Sequence, residues 1–284
     1  MKKYFVFILA TLFILVGLIQ YQRSFTEGDT LTVAFLDVGQ GDSIYIRAPN
    51  GNDVLVDGGP DDQVIRQLHT VMPPFDRDIG LVIATHPDKD HIAGLSSVFD
   101  EFQIATFLQS EIHADTSFDR ALADRVAHEP NLRTITARRG ERFILDRKHG
   151  IFIDILFPDQ DTSRFKETNE TSIVARLVYG KQSFMLTGDS PASVEQYLAT
   201  TDTTLIKSTV LKLGHHGSKT SSSQMFLKTV QPTVAIVSAG KNNSYHHPSP
   251  EVISRAESLN IPIVSTIDAG TIVFKTDGST LMRE

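Results

Sequence analysis

His86-Pro-Asp-Lys-Asp-His91 packs four potential metal ligands, His86, Asp88, Asp90 and His91, into six residues directly behind the apolar run Leu81–Ala84. Such a run reads as a strand, so the hexapeptide is a ligand loop carried on a strand end. Alternate residues of a tight loop project together, which pairs His86 with Asp88. Asp90 and His91 open the helix that follows and point the other way, toward a second ion. A solvated turn capping that helix would explain Asp90, but neither histidine nor Asp88. The chain has no cysteine, so any ion must be held by His, Asp, Glu or Asn.

Three later places add candidates. Phe184-Met-Leu-Thr-Gly-Asp189 is a strand ending in Gly-Asp, where a carboxylate can bridge two ions. Val210-Leu-Lys-Leu-Gly-His215-His216-Gly-Ser218 is another, with either histidine as a ligand and flanking glycines that permit close approach. Tyr245-His-His247-Pro is a loop in which His247 is a catalytic candidate. Six of the ten histidines fall in the pairs His86/His91, His215/His216 and His246/His247, a clustering that packing alone does not produce. His69, His113, His128 and His149 read as surface residues.

The elements that must position these groups are short. Strands are expected at Leu31–Leu36, Ser43–Ile46, Val54–Val56, Leu81–Ala84, Ile151–Phe157, Ile173–Val178, Ser183–Leu186, Val210–Leu213, Val234–Val237, Ile263–Thr266 and Thr271–Phe274. Spacings of three and four predict helices at Gln63–Val71, Ile92–Phe99, Phe118–His128, Pro191–Ala199, Ser222–Val230 and Pro250–Leu259. Asp189-Ser-Pro-Ala and Ser249-Pro-Glu read as helix starts, a capping residue followed by proline in the first turn. Strands in both halves with interleaved helices predict an α/β domain of two face-to-face sheets between helices.

Lys2 and Lys3 precede an apolar run from Tyr4 to Ile19 with no small-x-small cleavage pattern behind it, so residues 1–25 are expected to be an uncleaved signal anchor and connector. That orientation puts residues 26–284, a single domain, outside the cytoplasmic membrane, anchored there or, if the segment is cleaved, secreted. A formal charge of -7 argues against a general nucleic-acid coat protein. It leaves room for a local basic groove. Its candidates are Arg138, Arg139, Arg142, Arg147 and Lys148, with Lys207, Lys212 and Lys219 near the late histidines; solvated loop charge is the plainer reading of the arginines.

The order Leu36-Asp-Val-Gly-Gln-Gly-Asp-Ser43, Val56-Asp-Gly-Gly59, Thr85-His-Pro-Asp-Lys-Asp-His91, Leu186-Thr-Gly-Asp189, Leu213-Gly-His-His-Gly-Ser218 and His247-Pro resembles the metallo-β-lactamase-like domain of ComEC-type competence proteins from about residue 30 onward. The resemblance implies a four-layered αββα sandwich. It implies His86, Asp88, Asp90, His91, Asp189 and one of His215/His216 as metal ligands. Asp57, Asn169, Asp37 and Asp42 would support them, the last two from the opening motif, whose plain reading is a tightly packed strand turn. Asp88 stands where relatives usually carry histidine.

Two divalent ions about 3.5–4 Å apart activate a water and stabilise a displacement at phosphorus or carbon. With Asp88 and Asn169 the ligand set is rich in oxygen, which favours Mn²⁺ over Zn²⁺. The expected activity is phosphodiester hydrolysis, with DNA as substrate. Asp189 would bridge the ions, Asp90 assist proton transfer, His247 stabilise phosphoryl oxygens or protonate the leaving oxygen, and Lys212 and Lys219 attract phosphate. With one apolar segment the chain is not itself a pore, and would work alone or beside a DNA translocator. The alternatives are a hydrolase of a small or cell-envelope ester, phosphorylcholine-esterase-like or lactonase-like, and a non-enzymatic accessory protein of DNA uptake.

Overall fold

Short β-branched and aromatic runs, bounded by Gly, Asp and Pro, fold as strands throughout the computed structural model, which describes residues 28–159, 165 and 167–284. The first half supplies β1 (Leu31–Phe35), β2 (Ile44–Arg47), β3 (Asp53–Val56), the two-residue β4 (Asp78–Ile79), β5 (Leu81–Ala84), the equally short β6 (Gln103–Ile104), β7 (Thr106–Gln109) and β8 (Arg133–Thr136). The second half supplies β9 (Arg142–Asp146), β10 (Ile151–Phe157), β11 (Val174–Tyr179), β12 (Gln182–Leu186), β13 (Val210–Lys212), β14 (Val234–Val237) and β15 (Ile263–Ser265). The chain then returns to the first sheet with β16 (Ile272–Thr276) and β17 (Leu281–Arg283). The sheets run β17-β16-β1-β2-β3-β5-β7-β8 and β15-β14-β13-β12-β11-β10-β9.

Successive side chains of a strand face opposite ways, and both faces of these sheets are covered. Val33, Phe35 and Ile83 of the first sheet meet Ile153, Leu177, Phe184 and Ile236 of the second in the central core. On the first sheet's outer face Ala34, Tyr45, Leu55 and Val82 pack on Leu68, Leu95, Val98 and Leu122 from the helices Gln63–Val71, Leu95–Glu101 and Ser117–His128. Beyond the second sheet Met185, Leu211 and Ala235 pack on Leu198, Leu227 and Val252 from Ala192–Thr201, Gln224–Val230 and Pro250–Ser258. The order of layers is therefore αββα, as expected.

What positions the site is a run of parallel strands in each sheet. β5 lies parallel to β3 and β7, and β13 lies parallel to β12 and β14. The loops that leave β5, β12 and β13 at their C-terminal ends converge where the two sheets meet.

The strands at Leu81–Ala84, Ile151–Phe157 and Val234–Val237 and the helix Gln63–Val71 keep their expected limits. Ser249 caps its helix, accepting the Val252 amide with Pro250 in the first turn. The helix expected over 92–99 is instead two, Lys89–Ile92 and Leu95–Glu101. They are separated at Gly94, whose added Cβ would lie 2.0 Å from the Gly58 carbonyl oxygen. The start at Asp189 also differs: the helix begins at Ala192 with Pro191 in the cap position and no side-chain cap, because Asp189 turns into the site. β4, β6, β7, β8, β9 and β17 were not expected. β8 carries one apolar residue in four and is mostly exposed, so periodicity has little to register there.

The expected anchor, residues 1–25, lies outside the described residues. Among the described residues no helix is long and apolar enough to cross a membrane. Three arginines proposed for a basic groove are paired instead: Arg138 with Glu111 at 3.0 Å, Arg139 with Asp202 and Arg142 with Asp154.

Candidate metal centre

Each ligand loop is held by hydrogen bonds that fix which imidazole nitrogen faces inward. After β5, the Thr85 amide and hydroxyl both donate to the Asp57 carboxylate at 2.8 Å, while His86 Nδ1 lies 3.0 Å from that hydroxyl. Asp57 Oδ2 is also 2.7 Å from His91 Nδ1. After β13, His216 Nδ1 lies 3.0 Å from the Ser238 carbonyl, to which it donates. With Nδ1 engaged on each ring, Nε2 is the atom left for a ligand.

The second loop reaches this arrangement through unusual backbone. His215 and His216 have φ of 49° and 54°, and Gly217 follows at 81°. Non-glycine residues in this region cost roughly 1–3 kcal/mol each and persist where surroundings impose them. Here the His215 amide donates to Gly188 O, Ser218 N–H to His215 O and Ser249 N–H to Gly217 O.

Asp189 lies at the centre. Its Oδ1 is 3.2 Å from His91 Nε2, and its Oδ2 is 3.5 Å from His216 Nε2, 3.7 Å from His215 Nε2 and 3.9 Å from His86 Nε2. Asp90 Oδ2 lies 3.2 Å from His216 Nε2, and Asp88 Oδ2 lies 3.7 Å from His86 Nε2. Asp88 thus stands beside His86 and Asp90 beside His216; the His91 ring lies 4.0 Å from that of His86 and 5.2 Å from that of His216, and His215 reaches the same Asp189 oxygen as His86 and His216.

These residues fit divalent ions. Nε2 of His86, His91 and His216 and Oδ1 of Asp189 are buried without a hydrogen-bond partner. Four such atoms pointing into one space are expensive unless a cation satisfies them. Asp42, His91, Asp189 and His216 each bring a potential ligand atom within 4.8 Å of the others. Asp42, however, meets His216 at Nδ1, 3.2 Å away, and so stands behind that ring rather than among the ligands. The charges are strongly coupled. Burial opposes a proton on His216, yet Asp189 and Asp42 carry it up to about 9. Burial likewise opposes a proton on His91, which Asp189 and Asp57 raise well above the ordinary value. His86 is pushed down to about 3, first by burial and then by His91.

The model of the family described as "Metallo-beta-lactamase superfamily" matches residues 36–241. The chain belongs to this superfamily. Among curated proteins it is 30% identical over 267 residues to ComE operon protein 3 of Bacillus subtilis (strain 168), covering 88% of this chain and 33% of that protein. It is 32% identical over 248 residues to Recombination protein 2 of Haemophilus influenzae, covering 86% of this chain and 28% of that protein. The chain thus spans about a third of the length of the curated relatives it matches. Among solved structures, the metallo-beta-lactamase fold protein YhfI from Bacillus subtilis superposes with a TM-score of 0.54 at 12% identity, over 83% of this chain and 95% of its own, a likeness of fold alone.

Within this superfamily domain, the structure gathers His86, Asp88, Asp90, His91, Asp189 and both His215 and His216. The last two both bring Nε2 near Asp189 Oδ2, at 3.7 and 3.5 Å. Asn169 sits beside His215, its amide 3.4 Å from Nδ1. His247 lies at the mouth, its ring centroid 5.6 Å from that of His215. Burial and the neighbouring His215 and His216 push its imidazole down to about 4, so at neutral pH it is an uncharged hydrogen-bonding group rather than a ready acid.

Two expectations are corrected. Lys212 is 1% exposed, and its ammonium contacts Asp42 Oδ2, lies 3.6 Å from Asp189 Oδ1 and donates to Gly188 O at 3.0 Å, so it is engaged inside the protein rather than open to solvent. Asp37 contacts none of the ligands: it takes the Gly39 amide within its own turn, and its backbone bonds Thr271 and Gln63. Lys219 is exposed. Sequence reasoning missed Thr168, whose hydroxyl donates to Asp88 Oδ1 at 2.7 Å, together with Thr85 and Ser238. Thr85 stood inside the quoted motif and could have been found there. Thr168 and Ser238 carried no local signal.

Proposed function

We propose that this domain is a two-metal phosphodiesterase that cuts DNA outside the cytoplasmic membrane, with Mn²⁺ favoured over Zn²⁺. The observation that carries the reading is the array about Asp189, four imidazoles converging on one buried carboxylate with Asp88 and Asp90 beside two of them. Its similarity to proteins named for competence and recombination supports DNA as the substrate. The apolar stretch Tyr4–Ile19 supports an anchored, extracytoplasmic position, and a translocator beside it is the partner this reading implies.

His86, Asp88 and His215 would hold one ion, Asp90, His91 and His216 the other, with Asp189 between them. Bound there, the ions supply Lewis-acid activation of water and charge stabilisation at phosphorus. A phosphodiester enters from the wet side, where the side chains of Asp88, Asp90 and His215 are 37%, 31% and 31% exposed. A bond from water oxygen to phosphorus forms as the bond to the leaving oxygen breaks. Asp90 would accept a hydrogen bond from the attacking water and draw its proton away, and solvent would protonate the leaving oxygen. The neutral His247 ring donates a hydrogen bond to a phosphoryl oxygen. Asn243 fixes that ring's backbone on both sides, its Oδ1 accepting the His247 amide and its Nδ2 donating to the His247 carbonyl, each at 2.8 Å. Lys219 adds positive charge nearby in sequence.

The test is hydrolysis of single- and double-stranded DNA, bis-p-nitrophenyl phosphate and phosphorylcholine esters by the full chain with Mn²⁺, Zn²⁺ or chelator. Chelator-sensitive DNA cleavage lost in Asp189→Ala is the expected result. Turnover of the small esters with DNA left intact would overturn it in favour of a cell-envelope esterase.

A further inference from the structure

We propose that Tyr245 is a stacking platform for a nucleobase next to the scissile phosphate. This rests on the phosphodiesterase reading and names the part of the substrate that the metal ligands do not touch.

A series of tilted and stacked rings leads from the metal centre to solvent. His91 and His216 lie 5.2 Å apart at 35°, His216 and His247 6.5 Å apart at 31°, and His247 and Tyr245 5.7 Å apart at 24°. Tyr245 ends the series 67% exposed. One face of its ring lies on His247; the exposed remainder is open to a flat partner. Between these two residues His246 takes a positive φ of 57°, which helps turn the flanking side chains together. The loop is tied down by Asn243, which bonds Gly240 O at 2.9 Å and both backbone groups of His247, and by Gln40, whose Oε1 accepts the Gly240 amide at 3.2 Å. A large aromatic held out on a pinned loop, two ring steps from the ligand histidines, presents a π-face at low entropic cost to whatever binds there.

The chemistry of that face selects a planar, aromatic, sequence-indifferent partner. Base–aromatic stacking fits, since every base has a π-face. It also favours single strands, whose bases are free to leave their neighbours, over duplex, whose base faces are already covered. A sugar face or a quaternary ammonium can also rest on an aromatic ring, and a backbone stripped of its bases separates them from stacking.

The experiment compares two chains of equal length with the full protein and Mn²⁺: oligothymidylate and the same phosphodiester backbone made of abasic units. The wild type is expected to show a KM roughly tenfold or more lower for oligothymidylate, the range that stacking on one aromatic supplies. Tyr245→Phe should keep that preference. Tyr245→Ala should lose it while still carrying two ions per chain by metal analysis, which separates loss of stacking from collapse of the site. Equal KM values for the two chains in the wild type, or an undiminished preference in Tyr245→Ala, would overturn the platform and leave the phosphodiesterase standing. A metal-loaded wild type that cuts neither chain would overturn both.

Discussion

The two halves proposed for the metal centre share Asp189 but differ in what supports them. Behind His91 stands Asp57 at 2.7 Å, and behind His216 stand Asp42 at 3.2 Å and the Ser238 carbonyl at 3.0 Å. Behind His86, Asp88 and His215 stand neutral groups: the hydroxyls of Thr85, Thr168 and Thr220 and the amide of Asn169. A carboxylate behind an imidazole makes it a stronger ligand, whereas a hydroxyl or amide orients without adding charge. The difference teaches that the two ions should not be equivalent. The Asp90/His91/His216 half is built to retain its ion, and the Asp88/His215 half, with two of its three side chains about a third in solvent, to exchange its ion and meet substrate.

Removing what the halves share should give the largest effect. Asp189→Ala is expected to lower metal content from two ions to one or none and to cut DNA hydrolysis by on the order of 10³-fold or more, read by metal analysis and turnover. Two ions and full activity in that variant would end the bridged arrangement.

Next comes the charge that makes Asp42 tolerable. Lys212 ends β13 in the second sheet and Asp42 follows β1 in the first, so their ion pair crosses between the sheets. Both are about 1% exposed. Lys212→Met leaves buried Asp42 with only the imidazoles of His216 and His91 beside it, a change expected to cost up to about 3–5 kcal/mol in urea unfolding. Lys212→Met with Asp42→Leu should recover much of that, because two uncharged groups need no pairing. A single variant as stable as the wild type would show that Asp42 is already balanced by its histidines.

That ion pair also marks the boundary of what could be read from sequence. The ligand loop after β5 was legible because its information is local: six residues, ligand spacing and a preceding strand. Most strands and helices were legible for the same reason, through periodicity. Asp42 and Lys212 were named, but as a turn residue and a phosphate binder, since their meaning depends on a partner in the other sheet. His215 and His216 could not be separated by sequence because a run of left-handed backbone brings both Nε2 atoms to one carboxylate, a conformation no propensity favours. Thr168 was invisible for a plainer reason: a threonine with one useful hydrogen bond looks like any other.

Supporting carboxylates should matter more than supporting hydroxyls. Asp57→Asn is expected to weaken metal binding by roughly 10–100-fold, measured by competition with a chromogenic chelator. The pH response should also belong to one half. Asp189 and Asp42 raise His216 to about 9, and Asp189 and Asp57 raise His91 well above its ordinary range, both against the effect of burial. The metal-free protein therefore carries protons there at neutral pH, and a cation must displace them. Affinity at this half should rise with pH toward about 9, by about tenfold per unit for each proton released. His86 and His215 are both pushed down by burial, so the other half has no imidazole proton to lose near neutrality. Calorimetry in buffers of different ionisation enthalpy would count the protons, and release from both ions alike would break the distinction.

The smallest effect is expected at Thr168. Its hydroxyl donates to Asp88 Oδ1 at 2.7 Å, which leaves Oδ2 directed toward His86. Asp88 is partly in solvent, so water can replace the lost donor in Thr168→Val, and the net worth of such a bond is about 1 kcal/mol. That corresponds to a loss of roughly fivefold in affinity for the weaker ion alone. The tighter ion, held by Asp90, His91 and His216, should titrate unchanged in the same experiment. If Thr168→Val weakened both ions equally, the halves would be one cooperative unit, and the carboxylates behind His91 and His216 would be serving the whole site rather than one side of it.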